Sequence, residues 1–330
     1  LKILVTGGAG YIGSTTAAHL LAAGHSVTVY DNLSHGFTAA VPLSAELIVG
    51  DINNRKQLDQ VLVSGFDAII HFAGLIEPGE SMSKPAEYIL NNVSASTVLI
   101  DSAQKHDIRG IVFSSSAAVY ASSSELITED SPIGPVNLYG QTKRTVEEIL
   151  AWYNRLYGLN SCSLRYFNAS GASKQGGELR GEAHIPETHL IPLVLQVALG
   201  QRESIAIFGG DYPTPDGTNI RDYIHIDDLA MAHVLAVEAL VDEREALWVY
   251  NLGNGLGYSN LEVVETARKV TGHAIPAEMV SRRRGDAAVL VASSEKVKKE
   301  LGWQPHYPEL EQIIATAWQW HRTHPDGYPR

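Results

Sequence analysis

Tyr139 and Lys143, one helical turn apart, and the serine run at residues 114–116 are the side chains of this chain best suited to chemistry. On a helix, positions i and i+4 share a face. A free phenol titrates near pH ~10 and is a poor base at neutral pH. An ammonium one turn away stabilises the phenolate and lowers that value. Tyr139 is therefore expected to accept a proton from an alcohol or sugar hydroxyl, with Ser116 hydrogen-bonded to the same oxygen. Tyr-x-x-x-Lys also recurs by chance on exposed helices, so the reading requires that the chain also build a redox site.

The N-terminal third has the pattern of such a site. An aliphatic run at 2–5 meets Gly7, Gly10 and Gly13 in the spacing G-x-x-G-x-x-G, and an apolar helical pattern follows over 14–23 until Gly24. Residues without a β-carbon let backbone N–H groups approach a pyrophosphate at a helix N-terminus. The context this motif needs is a strand before it, a helix after it and an acid closing the next strand. The strand expected at 26–30 does end in Asp31, which suits both hydroxyls of an adenosine ribose. Asn32, Leu33 and Ser34 offer no arginine for a 2′-phosphate, so NAD is expected over NADP.

Further strands are expected at 46–49, 68–72, 110–113 and 161–165. Asp51 either holds an adenine amino group or caps the helix at 53–62, and both can be true. Small residues at Ala73 and Gly74 allow a cofactor to pass close to the backbone. A long helix is expected over 85–106, with two locally unfavourable asparagines inside it. Asn91 is read either as solvated or as held near a nicotinamide. Residues 169–189 read as a long glycine-rich loop, and loops of this length tend to be functional. Helices follow at 190–199 and 229–240, the latter capped by Asp227 or Asp228. A strand carrying Arg221 spans 219–226, and a seventh core strand is expected at 249–252. Closing helices are expected at 260–271, 293–301 and 310–321.

Alternating strands and helices with a phosphate turn at the first crossover indicate an α/β fold, a Rossmann doubly wound parallel sheet of about seven strands with a smaller α/β substrate domain. Residues 1–170, rejoined by 227–253, are expected to form the NAD-binding part. Residues 171–226 and 254–330 are expected to bind substrate. Composition sets further bounds. Hydrophobic content of 45% and charged content of 19% describe an ordinary globular protein. A net charge of −12 disfavours nucleic acid and anionic membrane as partners, so an anionic ligand needs a few placed cations. Arg221 and the cluster Arg282, Arg283 and Arg284 suit a diphosphate. The lone cysteine, Cys162, cannot form an internal disulfide, which fits a cytoplasmic setting, and it reads as a buried strand residue. No apolar run is long enough for a membrane span, and the N-terminus shows no charged-then-apolar leader. No metal is expected. His184 and His189, or His321 and His324, could be paired, but neither pair has the helical context and third ligand of a zinc site, so they read as loop and surface histidines.

These motifs together resemble the extended short-chain dehydrogenase/reductase family, in its nucleotide-sugar epimerase branch. The resemblance runs end to end. It rests on residues 6–13, 31–34, 50–52, 71–74, 114–120, 139–143, 165–168, 206–214, 221–225, 250–253 and 282–286. It implies a retained NAD and a UDP-hexose whose C4 is inverted through a 4-keto sugar, interconverting UDP-galactose and UDP-glucose. Catalysis would fall to Tyr139, Lys143 and Ser116. The cofactor residues implied are Gly7, Gly10, Tyr11, Ile12, Gly13, Asp31, Asn32, Asp51, Ile52, Phe72, Ala73, Gly74, Asn91, Ser114, Tyr139, Lys143 and Tyr166. On the UDP-sugar side are Ser116, Tyr139, Asn168, His189, Leu190, Ala206, Phe208, Arg221, Arg283, Asp286 and Leu290. A homodimer through the helices near 85–106 and 141–157 is also implied. Related dehydratases and decarboxylases resemble one another in carrying an acid just after the Ser116 position. This chain has Ala117 and Ala118 there, which cannot transfer protons. The chain departs from the family's usual pattern at Ile76, where a cofactor-contacting lysine is common, and at His189, where an asparagine is common. Leu290 stands where residue size gates an N-acetyl group. The competing readings are a 4-epimerase of UDP-N-acetylhexosamines or UDP-uronic acids, and a non-catalytic NAD-binding regulator.

Overall fold

The structure, a computed structural model, describes residues 1–121, 125–243, 245–283 and 286–329. The first half alternates strand and helix: β1 (Lys2–Thr6), α1 (Tyr11–Ala22), β2 (Ser26–Asp31), β3 (Glu46–Val49), α2 (Arg55–Leu62), β4 (Ala68–His71), α3 (Pro78–Ser81), α4 (Pro85–Tyr88), α5 (Ala95–Lys105), β5 (Gly110–Ser116), α6 (Leu138–Tyr157) and β6 (Asn160–Tyr166). The middle holds β7 (Asn168–Ser170), β8 (Ala172–Ser173), β9 (Arg180–Gly181), α7 (Leu190–Ala198), β10 (Ile205–Phe208), β11 (Ile220–Arg221), β12 (Tyr223–His225) and α8 (Ile226–Asp242). The remainder is β13 (Leu247–Leu252), β14 (Tyr258–Ser259), α9 (Asn260–Thr271), β15 (Ala277–Val280), β16 (Val289–Leu290), α10 (Glu295–Leu301) and α11 (Leu310–Thr323).

Seven strands form one parallel sheet in the order β13-β6-β5-β4-β1-β2-β3. Its central strands are buried on both faces, which is why they read as apolar runs rather than alternating ones. One face packs on α1 and α8 through Ile3, Val5, Leu20, Leu229 and Val237. The other packs on α2, α5 and α6 through Leu58, Leu99, Ile100 and Leu150. Each such aliphatic side chain contributes about 1.5–3 kcal/mol on burial. The chain leaves β1 toward β2 and β3, then returns to β4 on the other side. That reversal opens a crevice at the carboxyl ends of β1 and β4, where doubly wound sheets bind ligands. A separate apolar cluster joins α7, α9 and α11 with Ile205 and Ile207 of β10.

Several expected elements change form. The single helix expected over 85–106 is α4, a π-helical turn at Ile89–Ser94, and α5. Such turns are frequent at functional sites. The loop expected over 169–189 contains β8 and β9, which pair with each other, while β7 at its edge pairs with β12. Helix α2 is capped by Asn54 rather than Asp51. His225, not Asp227 or Asp228, caps α8 by accepting from the Asp227 N–H. The strand expected over 219–226 breaks at Asp222, whose carboxylate accepts N–H bonds from Asn254, Gly255 and Ala292. Cys162 is fully buried and its thiol is pushed far up by burial, as a structural cysteine should be. Among the described residues, no helix is long and apolar enough to cross a membrane.

Candidate active site

The glycine turn between β1 and α1 is a cradle that side chains would fill. Gly7 has φ +73°, and a β-carbon there would press into the Ala73 backbone. One on Gly13 would meet the Gly7 carbonyl oxygen. The first turn of α1 carries no acid to compete with an anion for its N–H groups. Asp31 ends β2 beside this turn. Its Oδ2 accepts from the Ala9 N–H at 3.0 Å and its Oδ1 from the Leu33 N–H at 2.8 Å. Each oxygen keeps a second lone pair for a ribose hydroxyl. Burial raises the Asp31 carboxyl, and the two backbone donors oppose that rise. Asp51 follows the neighbouring β3, where Asn32 donates to it at 3.2 Å and the Asn53 N–H at 2.8 Å. An adenosine diphosphate moiety fits these residues. The Tyr11 phenol is already committed to the Gly171 carbonyl at 2.7 Å.

Catalytic candidates gather at the carboxyl end of β5. Asn137 caps α6 by accepting from the Gly140 N–H at 2.8 Å. A β-carbon on Gly140 would strike the Ala118 carbonyl, so this glycine lets α6 lie against the segment after β5. The result is a close approach of the Ser116 hydroxyl to the Tyr139 phenol, near enough to oppose its upward shift. Ser116 Oγ also accepts from the Ala118 N–H at 3.1 Å. Lys143 Nζ donates to the Ser114 carbonyl at 2.7 Å and lies 5.8 Å from the Tyr139 ring centre. The Tyr166 hydroxyl donates to Ser114 Oγ.

Electrostatics differ from the expectation. The protein alone does not lower the Tyr139 phenol. Burial raises it, the Ser116 hydroxyl pulls it back in part, and Glu77 raises it further. Lys143 is itself desolvated and brought down to about 8, with Glu147 opposing the fall. A buried ammonium 5.8 Å away from the ring therefore leaves the phenol above its ordinary value.

Beneath these residues lies a buried polar chain that the sequence reading missed. Glu147, one turn beyond Lys143, accepts from Ser115 Oγ at 2.6 Å and pairs with Arg165 at 2.6 Å. Arg165 also donates to the Tyr120 hydroxyl at 2.9 Å, which donates to Asn251 Oδ1 at 2.7 Å. Thus β5, α6, β6 and β13 are tied together directly under Ser114 and Ser116. The signal was a charged pair inside apolar patterns, at Glu147 and Arg165. His71 at the end of β4 is also buried and held neutral, brought down to about 3 by desolvation. The Ser96 hydroxyl donates to the Asn92 carbonyl, so it accepts the His71 Nε2–H and leaves Nδ1 to accept from Thr6.

Asn92 is the more deeply buried asparagine of the π turn. Its Oδ1 accepts from the Leu75 N–H at 2.8 Å, and its Nδ2 donates to the Leu75 carbonyl at 2.9 Å and to Thr142 Oγ1 at 3.2 Å. Asn91 is half-buried and donates to Asn92. The edge of β4 and helix α6 are clamped together through that one amide. Phe72 packs its ring 4.8 Å from that of His233, and Ile76 is partly exposed.

The substrate-side candidates are brought together by long-range contacts. Arg221 of β11 forms an ion pair with Asp286, which also accepts from Asn219 at 2.9 Å. Two residues expected to face the substrate independently are thus each other's partners. Arg283 lies over the Phe208 ring at 3.8 Å, whereas Arg282 is paired with Asp211 at 2.6 Å and stacked on Tyr212. Arg284, the third member of the cluster, lies outside the described residues. Leu290 pairs in register with Arg221 and packs on the cluster of Val119, Tyr120 and Ile127. Asn168 donates to the Asp222 carbonyl at 2.8 Å, and Ala206 is exposed on β10. His189 immediately precedes Leu190, the first residue of α7. It does not stand alone. The fold brings Glu182 and Glu187 onto His184 and His189, so that one polar atom of each lies within 4.8 Å of the others.

The NAD dependent epimerase/dehydratase family matches residues 3–253 of the chain. The UDP-glucose 4-epimerase of Halalkalibacterium halodurans is 50% identical, over 99% of this chain and 98% of that protein. The crystal structure of UDP-glucose 4-epimerase from Brucella ovis in complex with NAD is 43% identical over 96% of this chain and 97% of its own, with a TM-score of 0.92. That of the Bifidobacterium longum enzyme in complex with NAD+ and UDP is 37% identical over 99% and 100%, also with a TM-score of 0.92.

Proposed function

The chain belongs to the NAD dependent epimerase/dehydratase family, and from that premise we propose that it interconverts UDP-galactose and UDP-glucose by inverting C4, with Tyr139 as the base. The observation that carries this reading is the joined group of Ser116, Tyr139 and Lys143 at the sheet's carboxyl edge. Ala117 and Ala118 lie where elimination chemistry would need an acid.

Tyr139 takes the proton of the C4 hydroxyl as that carbon becomes a carbonyl, and returns it after the 4-keto sugar has turned over. Ser116 holds the same oxygen and keeps the phenol aimed. Lys143, one turn from the phenol, would hold the nicotinamide ribose. NAD, when bound, supplies a reversible acceptor for the C4 hydrogen and its electron pair. The Tyr139 phenol lacks, in the protein alone, the positive charge that would bring it down, and the oxidised cofactor carries one. Gly7, Gly10, Gly13, Asp31 and Asp51 would hold the adenosine diphosphate end. Asn91, Ser114 and Tyr166 are assigned to the nicotinamide end. Asn168, Leu190, Phe208, Arg221 and Arg283 are assigned to the uridine diphosphate, with the Arg221–Asp286 pair opening or re-forming around it.

The same reading divides the chain into an NAD-binding part at 1–170 and 227–253 and a UDP-sugar part at 171–226 and 254–330. It assigns a homodimer in the cytoplasm. Exposed Ile89, Leu90, Trp152, Leu156 and Tyr157, on the π turn and α6, supply an apolar face for the second copy. The test is turnover of UDP-galactose by purified protein carrying its own NAD, with none added. Appearance of UDP-glucose is expected. A protein that holds NAD but exchanges no hydrogen at C4 would instead support the regulator, and turnover of only N-acetylated or uronic UDP-sugars would move the substrate.

A further inference from the structure

Glu182, His184, Glu187 and His189 lie between β9 and α7 in the spacing E-x-H-x-x-E-x-H. The two carboxylates are buried, with side-chain exposures of 5% and 6%. His189 Nδ1 is 2.8 Å from a Glu182 oxygen and 3.1 Å from a Glu187 oxygen. His184 Nδ1 is 3.1 Å from Glu182 and 3.8 Å from Glu187. One donor atom from each of the four lies within 4.8 Å of all the others. A tetrahedral ion with bonds of about 2.0–2.1 Å keeps its donors roughly 3.3 Å apart, so little rearrangement would be needed.

We propose that Glu182, His184, Glu187 and His189 form a site for one divalent transition-metal ion of the zinc class, which pins the segment leading into α7. Two imidazoles with two carboxylates are the donor set of such an ion, and calcium or magnesium would prefer oxygen alone. Two adjacent carboxylates are costly to bury without a cation between them. In the protein alone the imidazoles serve that purpose. Against desolvation, Glu182 and Glu187 raise His184 to about 9 and hold His189 well above its usual range. Exchanging two imidazolium protons for one divalent ion leaves the local charge unchanged. An imidazole must be free of its proton at the ligating nitrogen, so affinity rises with pH.

Other groups facing the cluster do not take over this role. The Tyr11 ring stands edge-on to His184 at 6.4 Å, and its buried phenol stays protonated, raised by desolvation and by Glu182 and Asp227. His321 is kept low by desolvation although Glu182 and Glu187 oppose it. Thr188, inside the segment, donates to Glu77 at 2.8 Å, and Glu77 acts on the Tyr139 phenol. An ion here would thus steady a segment that reaches the reaction centre. Ligation through Nδ1 leaves the His189 Nε2–H as the ring's second donor.

The inference does not depend on the reaction assigned above. Full-length protein, stripped with chelator, is titrated with zinc chloride by calorimetry in two buffers of different ionisation heat, and metal is counted after desalting. About one ion per chain is expected, with protons released on binding. His184→Ala and Glu187→Gln should each lower affinity at least ~10-fold, whereas His306→Ala, at an exposed histidine, should not. The conservative Glu187→Gln variant guards against a fold lost in His184→Ala, and thermal melts report which occurred. Zinc binding no tighter than roughly 10 μM, or binding unchanged in both variants, would overturn the site and leave a set of buried ion pairs.

Discussion

The proposed cofactor side and the proposed substrate side of the molecule are built in different ways. On the cofactor side, the glycine turn and the two acids are set by residues close in sequence or by adjacent strands of one parallel sheet. The Gly7–Gly13 turn, the Asp31 cap and the Asn137 cap are backbone-centred devices. On the substrate side, Arg221 meets Asp286, Arg283 lies on Phe208, and the strands involved have two to four residues. Backbone hydrogen bonds within a sheet hold a cofactor in one geometry. Side-chain pairs between short elements can part and re-form, which suits a ligand whose sugar must turn during the reaction. The Glu–His group on the segment before α7 stands between the two, since its charge content can be changed by protons.

The sharpest way to break this comparison is at the phenol. Tyr139→Phe should lower kcat by roughly 10²–10⁴-fold. Bound NAD, measured by absorbance after denaturation, should stay near wild type, because the cradle is backbone. Loss of NAD along with activity would mean that the two sides are less separable than drawn.

Glu147→Gln comes next. Breaking a buried pair strands the Arg165 guanidinium and should cost about 3–5 kcal/mol, read as a lower thermal midpoint. It also has a kinetic sign. Glu147 props up Lys143, which sits near 8. Without that charge the ammonium loses its proton at lower pH, so the alkaline limb of the rate profile should move down. An unchanged profile would make the network purely structural.

The smallest effect expected is in the metal-free Glu–His group. His184 is raised in the folded protein to about 9 from its usual 6.5, so its stabilisation is fully present below pH ~6.5 and is lost as pH rises through about 9. Stability should therefore fall between these limits by on the order of 3 kcal/mol, and His184→Gln should flatten that slope in denaturant titrations. An equal slope in wild type and variant would remove His184 from the account.

Much of the cofactor side was legible in sequence because its signals are local. A glycine at φ +73°, a strand ending in an acid, and a capped helix with Tyr and Lys on one face depend on neighbours within a few residues. Fine detail was less legible where two local choices looked alike. Asn91 and Asn92 are adjacent and chemically identical, and only the π turn decides that Asn92 is the more deeply buried. Gly140 sits inside the Tyr-x-x-x-Lys motif, yet its purpose appears only when Ala118 is seen against it.

By itself, the sequence determined the order of strands and helices, the dinucleotide turn and the tyrosine–lysine face, since periodicity and backbone freedom are written residue by residue. Tertiary structure alone decided the Glu147–Arg165 link and the mutual pairing of Arg221 and Asp286. It also decided the sign of the Tyr139 shift, because desolvation depends on what surrounds a group in space, and no spacing along the chain records that.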